Sequence, residues 1–414
     1  MQTGLIGKTL PHSFSPRIHG LLGDDGYRLF ELEEDALAPF FETRAFDGVN
    51  VTIPYKQKVM PLLDEIDQRA LRIGAVNTVV NRNGKLYGYN TDYDGFCAMA
   101  ARRGIDFSGK RAVVLGSGGT SHTVCAALKD GGAASVRVVS RTGEYDYTHP
   151  ELYRDAQILV NTTPVGMYPK CQARPIDLSF FPELTGVLDV IYNPRRTALI
   201  AQAEQLHIPC CSGLPMLVRQ AVAAHTLFTG EAVPEQTEQA VLSQMYVDTM
   251  NLVLIGMPGS GKSTIGKRVA KLLEHPFYDA DKVLEKDAGR RIPEIFASEG
   301  EAAFRVMETQ TIEKLSRYTG AVIATGGGAV LREENVAALR RNSCIVRLTR
   351  DVSMLSTKGR PLSQDENALY RMQRERAPYY AAAADISVRN DRSIKNTAER
   401  IVKQFRETIG DQWA

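Results

Sequence analysis

The stretch Gly256-Met257-Pro258-Gly259-Ser260-Gly261-Lys262-Ser263-Thr264 matches the pattern G-x-x-x-x-G-K-[ST] without a gap, and no other feature of the chain restricts its fold as much. It follows the apolar run Asn251-Leu252-Val253-Leu254-Ile255, which reads as a buried strand, and it opens into residues 265–273, which read as a helix. A strand, a glycine-rich turn and a helix in that order make a phosphate cradle. Glycines let backbone N–H groups curl around phosphate oxygens, and the helix N-terminus adds partial positive charge. Lys262 then reaches the outer phosphates, the Ser263 hydroxyl suits a Mg²⁺ shell, and Gly259, Ser260, Gly261 and Thr264 complete the loop. Without its flanking elements the motif would be a glycine-rich bend and no more.

A nucleotide site that starts near residue 251 leaves a long stretch of chain before it. At 414 residues the sequence is too long for one compact core and fits two or three domains. Its hydrophobic content of 43% and charged content of 24% are those of a globular protein. A net charge of +2 gives no electrostatic case for nucleic acid or an anionic membrane, so basic residues that matter must act locally. The N-terminus lacks a cleavable signal and no apolar run approaches a membrane span. Cys97, Cys125, Cys171, Cys210, Cys211 and Cys344 show no C-x-x-C spacing, which is expected of reduced thiols in a cytoplasm. A homo-oligomer stays open as an assembly.

Near the start, Leu5-Ile6-Gly7 reads as a short buried strand followed by Leu10-Pro11-His12-Ser13-Phe14-Ser15-Pro16, which sets two hydroxyls at a strand-to-helix loop. A helix cap is the plain reading of Ser15. Gly48-Val49-Asn50-Val51-Thr52-Ile53-Pro54-Tyr55-Lys56 is strand-like, breaks at the proline and delivers Lys56 beyond the break; alone, such a lysine is a surface charge. Residues 73–80 and 88–95 each place Asn, Thr or Asp at a strand end, where ligands bind in α/β sheets.

Together, H-S-x-S-P, N-V-T-I-P-x-K, I-G-A-V-N-T and G-x-N-T-D-x-x-G, in this order, resemble the shikimate dehydrogenase family. Residues 161–167, Asp189-Val190-Ile191-Tyr192-Asn193-Pro194 and Gly213-Leu214-Pro215-Met216 through Gln220 and Ala221 extend the likeness from about residue 4 to about residue 245. The resemblance implies that Ser13, Ser15, Thr52, Asn77, Thr91, Asp92, Tyr192 and Gln220 hold the substrate. It also implies Lys56 and Asp92 as the catalytic pair, and Gly213 and Met216 at the cofactor. The chemistry suits those residue types. Reducing a ring ketone delivers hydride to carbon while oxygen gains a proton, so an acid or cation must sit at the carbonyl.

Residues 110–115 read as a strand feeding Gly116-Ser117-Gly118-Gly119, then a helix over 122–128 and a second strand, Ser135-Val136-Arg137-Val138-Val139. That βαβ unit places a dinucleotide pyrophosphate over Gly116, Ser117, Gly118 and Gly119. At the end of the second strand lie Ser140 and Arg141, where an NAD enzyme offers an acid to the ribose hydroxyls. Arg141 suits a 2′-phosphate and points to NADP, with Glu144 close enough to support the alternative. Residues 143–150 have no helical period where relatives carry a helix and another strand, so this subdomain reads as trimmed on one side. A helix is expected over 235–246, leaving residues 247–250 as a very short linker.

After the phosphate loop, Phe277-Tyr278-Asp279-Ala280-Asp281 reads as a strand whose two acids lean the same way, one for a Mg²⁺ shell and one for a substrate hydroxyl. Arg305 falls in a helical stretch, residues 321–328 form a strand ending in three glycines, and Gly359-Arg360-Pro361 and Arg374-Glu375-Arg376-Ala377-Pro378-Tyr379 follow. In order, these motifs resemble shikimate kinase from about residue 251 onward. The resemblance implies ATP and Mg²⁺, with Ser263 and Asp279 on the metal, Lys262 and Asp281 in catalysis, and Arg305, Arg376 and Gly327 on the shikimate ring. Arg360 would sit on a lid over the nucleotide. Adenylate-kinase-like and gluconate-kinase-like proteins share the loop, and D-x-D, G-G-G and R-x-P-x-Y argue against both.

The expected architecture is α/β throughout: a two-subdomain dehydrogenase-like half over residues 1–246, with its substrate part at about 1–95 plus 214–246 and its Rossmann-like NADP part at about 96–213. A parallel-sheet P-loop domain follows over residues 251–414. The expected function is bifunctional, reduction of 3-dehydroshikimate with NADPH followed by phosphorylation of shikimate, two steps toward the aromatic amino acids. Two alternatives stand beside it. The first half works on quinate or prefers NAD, or it has lost catalysis and docks the kinase.

Overall fold

The computed structural model describes residues 2–11, 13–355 and 366–410. The chain forms two compact units that divide between Leu242 and Ser243.

In the first unit, β1 (Thr3–Gly7), β2 (Arg28–Glu31), β3 (Gly48–Val51), β4 (Glu65–Ile66), β5 (Thr78–Arg82) and β6 (Lys85–Tyr89) form a mixed sheet ordered β2-β1-β3-β5-β6-β4. β1 is parallel to β2 and β3, while β5 runs against β3 and β6. Because β5 reverses direction, its first residue Thr78 pairs with Asn50, so Asn77 arrives at the sheet end where β1 and β3 finish. Helices α1 (Ser15–Leu21), α2 (Leu37–Thr43) and α3 (Gln68–Ile73) flank this sheet. Pro16 opens α1 as expected, but Phe14 holds the cap position and Ser15 is already helical. Ser13 Oγ accepts the Ser15 N–H at 3.2 Å, which is what sets the turn.

Helix α4 (Asp92–Ala101) leads to a second sheet of β7 (Arg111–Leu115), β8 (Ser135–Val139), β9 (Ile158–Asn161), β10 (Gly186–Asp189) and β11 (Cys210–Ser212), all parallel, ordered β11-β10-β9-β7-β8. Its strands are buried on both faces: along β7, Ala112 and Val114 enter one core while Val113 and Leu115 enter the other. α5 (Gly119–Asp130) follows β7 and α6 (Ala198–Gln205), capped by Thr197, follows β10. A doubly wound sheet carries a further strand outside the position of β8. Among the described residues none is present; residues 140–157 contain one 3₁₀ turn, Pro150–Tyr153, and a single bridge from Tyr145 to Val139. The trimmed edge read from the sequence is therefore real.

Helix α7 (Leu214–Thr229) returns to the first sheet, where Phe228 covers Gly48 so closely that a Cβ there would lie 2.1 Å from the ring. α8 (Glu235–Thr249) runs through the residues expected to form a linker. Val247 and Met250 are buried, and that packing keeps the segment helical to Thr249.

The second unit is a parallel sheet of β12 (Asn251–Ile255), β13 (Phe277–Asp279), β14 (Val322–Ala324), β15 (Ser343–Thr349) and β16 (Ile386–Arg389), ordered β13-β14-β12-β15-β16. Its helices are α9 (Lys262–Leu273), α10 (Ala280–Ala288), α11 (Ile292–Ser316), α12 (Glu333–Arg340), α13 (Glu366–Ala383) and α14 (Ile394–Thr408). β12 is wholly buried between β14 and β15, so the loop after it opens at the switch point where such sheets bind ligands. The strand reading of residues 277–281 needs correction. β13 ends at Asp279, and Asp281 lies in the first turn of α10.

Candidate functional sites

A cleft of about 510 Å³ in the first unit gathers Ser13, Ser15, Thr52, Lys56, Asn77, Asp92, Tyr192, Gly213, Met216 and Gln220. Each arrives by a different element, and backbone hydrogen bonds fix the approaches. Thr52 N donates to Ile6 O, Val76 N to Lys56 O and Asn77 N to Tyr89 O, which ties the chain beyond β3 to the entry of β5 and the exit of β6. Lys56 Nζ meets Asp92 Oδ2 at 2.6 Å, with the two side chains 15% and 11% exposed. Asp92 opens α4, where the helix N-terminus favours its negative charge. Among the described residues lining the cleft, these two are the only charged ones.

Thr91 does not line this cleft. It is buried behind Asn77, receiving the Asn77 amide at 3.0 Å and donating its own N–H to Asn77 Oδ1 at 2.7 Å. These two hydrogen bonds fix the orientation of the Asn77 side chain. Asn50 was not singled out from the sequence, yet it lines the cleft and is clamped by Tyr27 Oη at 2.7 Å and Thr78 Oγ1 at 3.0 Å. Its place one residue before the end of β3, in a motif already quoted, was the available signal. Gln220 faces the cleft from α7 with its amide donating to Leu217 O at 2.8 Å. Tyr192 meets the Phe14 ring edge-on at 5.7 Å, so the second sheet's loop and α1 touch across the cleft.

Asp189 supports that loop. Its carboxylate accepts from Asn161 Nδ2, Ile191 N and Thr197 Oγ1, and burial pushes its carboxyl up to about 6. Gly213 has no alternative residue, since a Cβ would lie 2.1 Å from Val190 O.

The glycine turn after β7 is suited to a dinucleotide pyrophosphate. Gly116 has φ +101°, Ser117, Gly118 and Gly119 are exposed, and no atom lies within 4 Å of a Cβ placed on Gly118 or Gly119. α5 begins there with no side chain capping its N–H groups, which leaves those donors for an anion. Ser140 is buried at the end of β8 with its N–H on Tyr145 O, and Arg141 beside it is exposed. Thr120 and Met167 also line the cleft and were not foreseen.

In the second unit a cavity of about 630 Å³ brings together Gly259, Gly261, Lys262, Ser263, Thr264, Asp279, Asp281, Arg305, Gly327 and Arg376. Ser260 is buried beneath the loop. Arg360 lies outside the described residues. Gly259 and Gly261 adopt φ +81° and +99°, and α9 starts from Gly261 without a side-chain cap. Lys262 Nζ donates to the loop's own Gly256 and Met257 carbonyls at 2.9 and 3.0 Å. Ser263 Oγ reaches Asp279 Oδ2 at 2.6 Å, an oxygen pair of the kind that suits a hard divalent cation.

Arg305 is held by Glu301 and Glu308, each at 2.8 Å, and Arg376 donates to Gly327 O at 3.0 Å. An added Cβ on Gly328 would lie 2.3 Å from Arg305 Nη1, so the glycines let that guanidinium pack on bare backbone. Gly300, with φ +80° and ψ 179°, breaks α11 one turn before Arg305 and redirects the half that carries it. Enclosure and the nearby Asp279 carboxylate push the Asp281 carboxyl up to about 6, with Glu308 adding to the rise and Lys262 opposing it. Glu308, Arg291, Arg350 and Phe296 line the cavity without having been foreseen, and Asn390 clamps the loop through Ser260 O at 2.8 Å. Only Glu308 had a sequence signal, its spacing of three from Arg305 on one helix.

Comparison with known proteins assigns the two units differently. The family model for the shikimate dehydrogenase substrate-binding domain matches residues 5–79, and that for shikimate kinase matches residues 258–409. The NADP(+) shikimate dehydrogenase of Clostridium beijerinckii is 40% identical over 244 residues, spanning 54% of this chain and 90% of that protein. A chorismate mutase/shikimate 5-dehydrogenase fusion protein from Clostridium acetobutylicum superposes with TM-score 0.55 at 35% identity, over 58% of this chain and 94% of its own. Shikimate 5-dehydrogenase from Thermus thermophilus, solved with NADP(H) and shikimate, gives 0.52 at 33%, over 58% and 98%. No described helix is long and apolar enough to cross a membrane, and none of the six cysteines forms a disulfide.

Proposed function

The chain belongs to the shikimate dehydrogenase family, and from that premise we propose a bifunctional enzyme. Residues 1–246 would reduce 3-dehydroshikimate to shikimate with NADPH, and residues 251–414 would phosphorylate shikimate at its 3-hydroxyl with ATP and Mg²⁺. The observation that carries the reading is the Lys56–Asp92 pair, the one charged pair among the described residues of a cleft otherwise lined by hydroxyls, amides and apolar groups.

The nicotinamide cofactor would supply hydride when bound, with the turn Gly116 to Gly119 holding its pyrophosphate and Arg141 its 2′-phosphate. Lys56 presents an ammonium N–H to the substrate carbonyl, stabilises the charge that gathers on oxygen as carbon is reduced, and gives that oxygen its proton, which the amine regains from solvent. Asp92 fixes the lysine and accepts from the same substrate hydroxyl once it forms. Ser13, Ser15, Thr52, Asn77 and Gln220 hold the ring through its hydroxyls and carboxylate, with Thr91 positioning Asn77. Tyr192 and Met216 shield the reacting face from water.

In the second unit ATP supplies the phosphoryl group, and Ser263 and Asp279 would hold the Mg²⁺ that offsets its charge. Lys262 leaves the carbonyls of Gly256 and Met257 for phosphate oxygens. Asp281, with its raised affinity for protons, orients the 3-hydroxyl and takes up its proton. Arg305 and Arg376 hold the substrate carboxylate, a task for which a planar guanidinium is matched.

The test is NADPH oxidation by the full chain with 3-dehydroshikimate, with and without Mg-ATP, followed by detection of shikimate and its 3-phosphate. Oxidation in both runs, with phosphate ester only when ATP is present, is the expected result. The trimmed edge beside β8 favours one competing reading, a first unit without catalysis that docks the kinase. NADPH and NADH both left untouched, with quinate also inert, while supplied shikimate is phosphorylated, would replace the proposal by that one.

A further inference from the structure

Away from the Lys56–Asp92 pair, three side chains with metal-ligand chemistry converge in the first unit. His19 comes from α1, Asp24 from the turn after it and His225 from α7, and one donor atom of each lies within 4.8 Å of the other two. His19 has no exposed surface, and neither of its ring nitrogens has a hydrogen-bond partner of regular geometry, although the Asn50 side chain is close to the ring; His225 Nδ1 is likewise enclosed without a partner. Buried polar atoms are nearly always supplied with a partner, so three enclosed imidazole nitrogens without one, next to a carboxylate, call for a ligand.

The surroundings are arranged as an outer shell would be. Asp24 accepts from Thr3 Oγ1 on one oxygen and from Gly26 N at 3.3 Å on the other, which fixes the carboxylate. The His19 ring stacks on Tyr27 at 3.9 Å with an interplanar angle of 10°, and the Asn50 side chain lies beside it.

We propose that His19, Asp24 and His225 bind a divalent transition cation of the zinc class. Two imidazoles and one carboxylate are a donor set that such ions favour, whereas magnesium selects oxygen alone. Tetrahedral bonds of about 2.0–2.2 Å hold ligand atoms about 3.3–3.5 Å apart. The present spread of up to 4.8 Å would close by side-chain rotation on binding. With three protein ligands, water would complete the tetrahedron. The ion joins α1, which starts at Ser15, to α7, which carries Gln220, and both residues line the cleft. Tyr27, stacked on His19, clamps Asn50 in the cleft wall.

The full chain, stripped with dipicolinate and dialysed against Co²⁺, tests this by metal analysis and visible spectroscopy alongside H225A, H225Q and D24N. The parent should retain one equivalent more than each variant and show the visible band of tetrahedral cobalt, which the variants lose. Zn²⁺ should raise the melting temperature of the parent and not that of H225Q. Any cation held by Ser263 and Asp279 is common to all four proteins, so the difference reads this cluster alone. Circular dichroism checks that each variant is folded, and H225Q keeps most of the side-chain volume if H225A is not. Equal metal content and superimposable spectra in the parent and any folded variant would overturn the proposal and leave a stacked core histidine.

Discussion

Both units deliver a lysine to a ligand cavity beyond a central strand, and they neutralise it differently. Lys56 is paired with a side chain, Asp92, that also faces the cleft, so the charge arrangement is complete before any ligand arrives. Lys262 donates to two carbonyls of its own loop with the Asp281 carboxylate nearby, while Asp279 bonds Ser263 and Glu308 accompanies Arg305. Under the proposed function the contrast follows the ligands. A ketone carries little charge and needs one local donor held still, whereas a nucleotide triphosphate brings several negative charges and needs cations that can transfer to it.

The comparison breaks most easily at Lys56. Lys56→Ala should lower NADPH oxidation by about 10³- to 10⁴-fold and leave phosphorylation unchanged; loss of both activities in one folded protein would end the idea of two self-contained charge arrangements. Asp281→Asn should reduce phosphorylation about 10²-fold with reduction intact, measured by coupled ADP release. Arg305→Lys keeps the charge but not the fork, and should raise the KM for shikimate by about 10-fold in the kinase assay while changing kcat less. An unchanged KM would remove Arg305 from substrate contact and leave it a partner of Glu308 alone. The smallest effect is expected at exposed Arg141. Arg141→Ala should raise the KM for NADPH roughly fivefold and leave that for NADH in place, and an equal rise for both would show that the residue does not read the 2′-phosphate.

What could be read from the sequence was whatever a short contiguous stretch encodes. The two glycine turns, the proline break before Lys56 and the missing helix between β8 and β9 are local, and each was recoverable from spacing. Asp281 was misplaced because an acid two residues past another fits a strand end and a helix start equally well; only the end of pairing at Asp279 decides it. The expected linker at residues 247–250 contains Val, Asp and Thr, weak helix formers, and their tertiary burial outweighs that preference. Asn50 and Asn390 act through contacts with residues distant in sequence, which no local pattern records.

The shortened loop beside β8 has a consequence for how copies of this chain behave toward each other. Losing an outer strand leaves β8 as a sheet edge, and an open row of backbone donors and acceptors is a template for strands from other molecules. The chain blunts that edge with a charge in the middle of the strand, Arg137, which is ion-paired with Asp155 and lies 5.9 Å from the Tyr145 ring. Tyr145 itself bridges to Val139 and occupies the last position of the edge. Resistance to self-association is therefore carried at this place by a few side chains instead of by a strand, and solubility should be more sensitive to substitution there than anywhere along the fully paired β7.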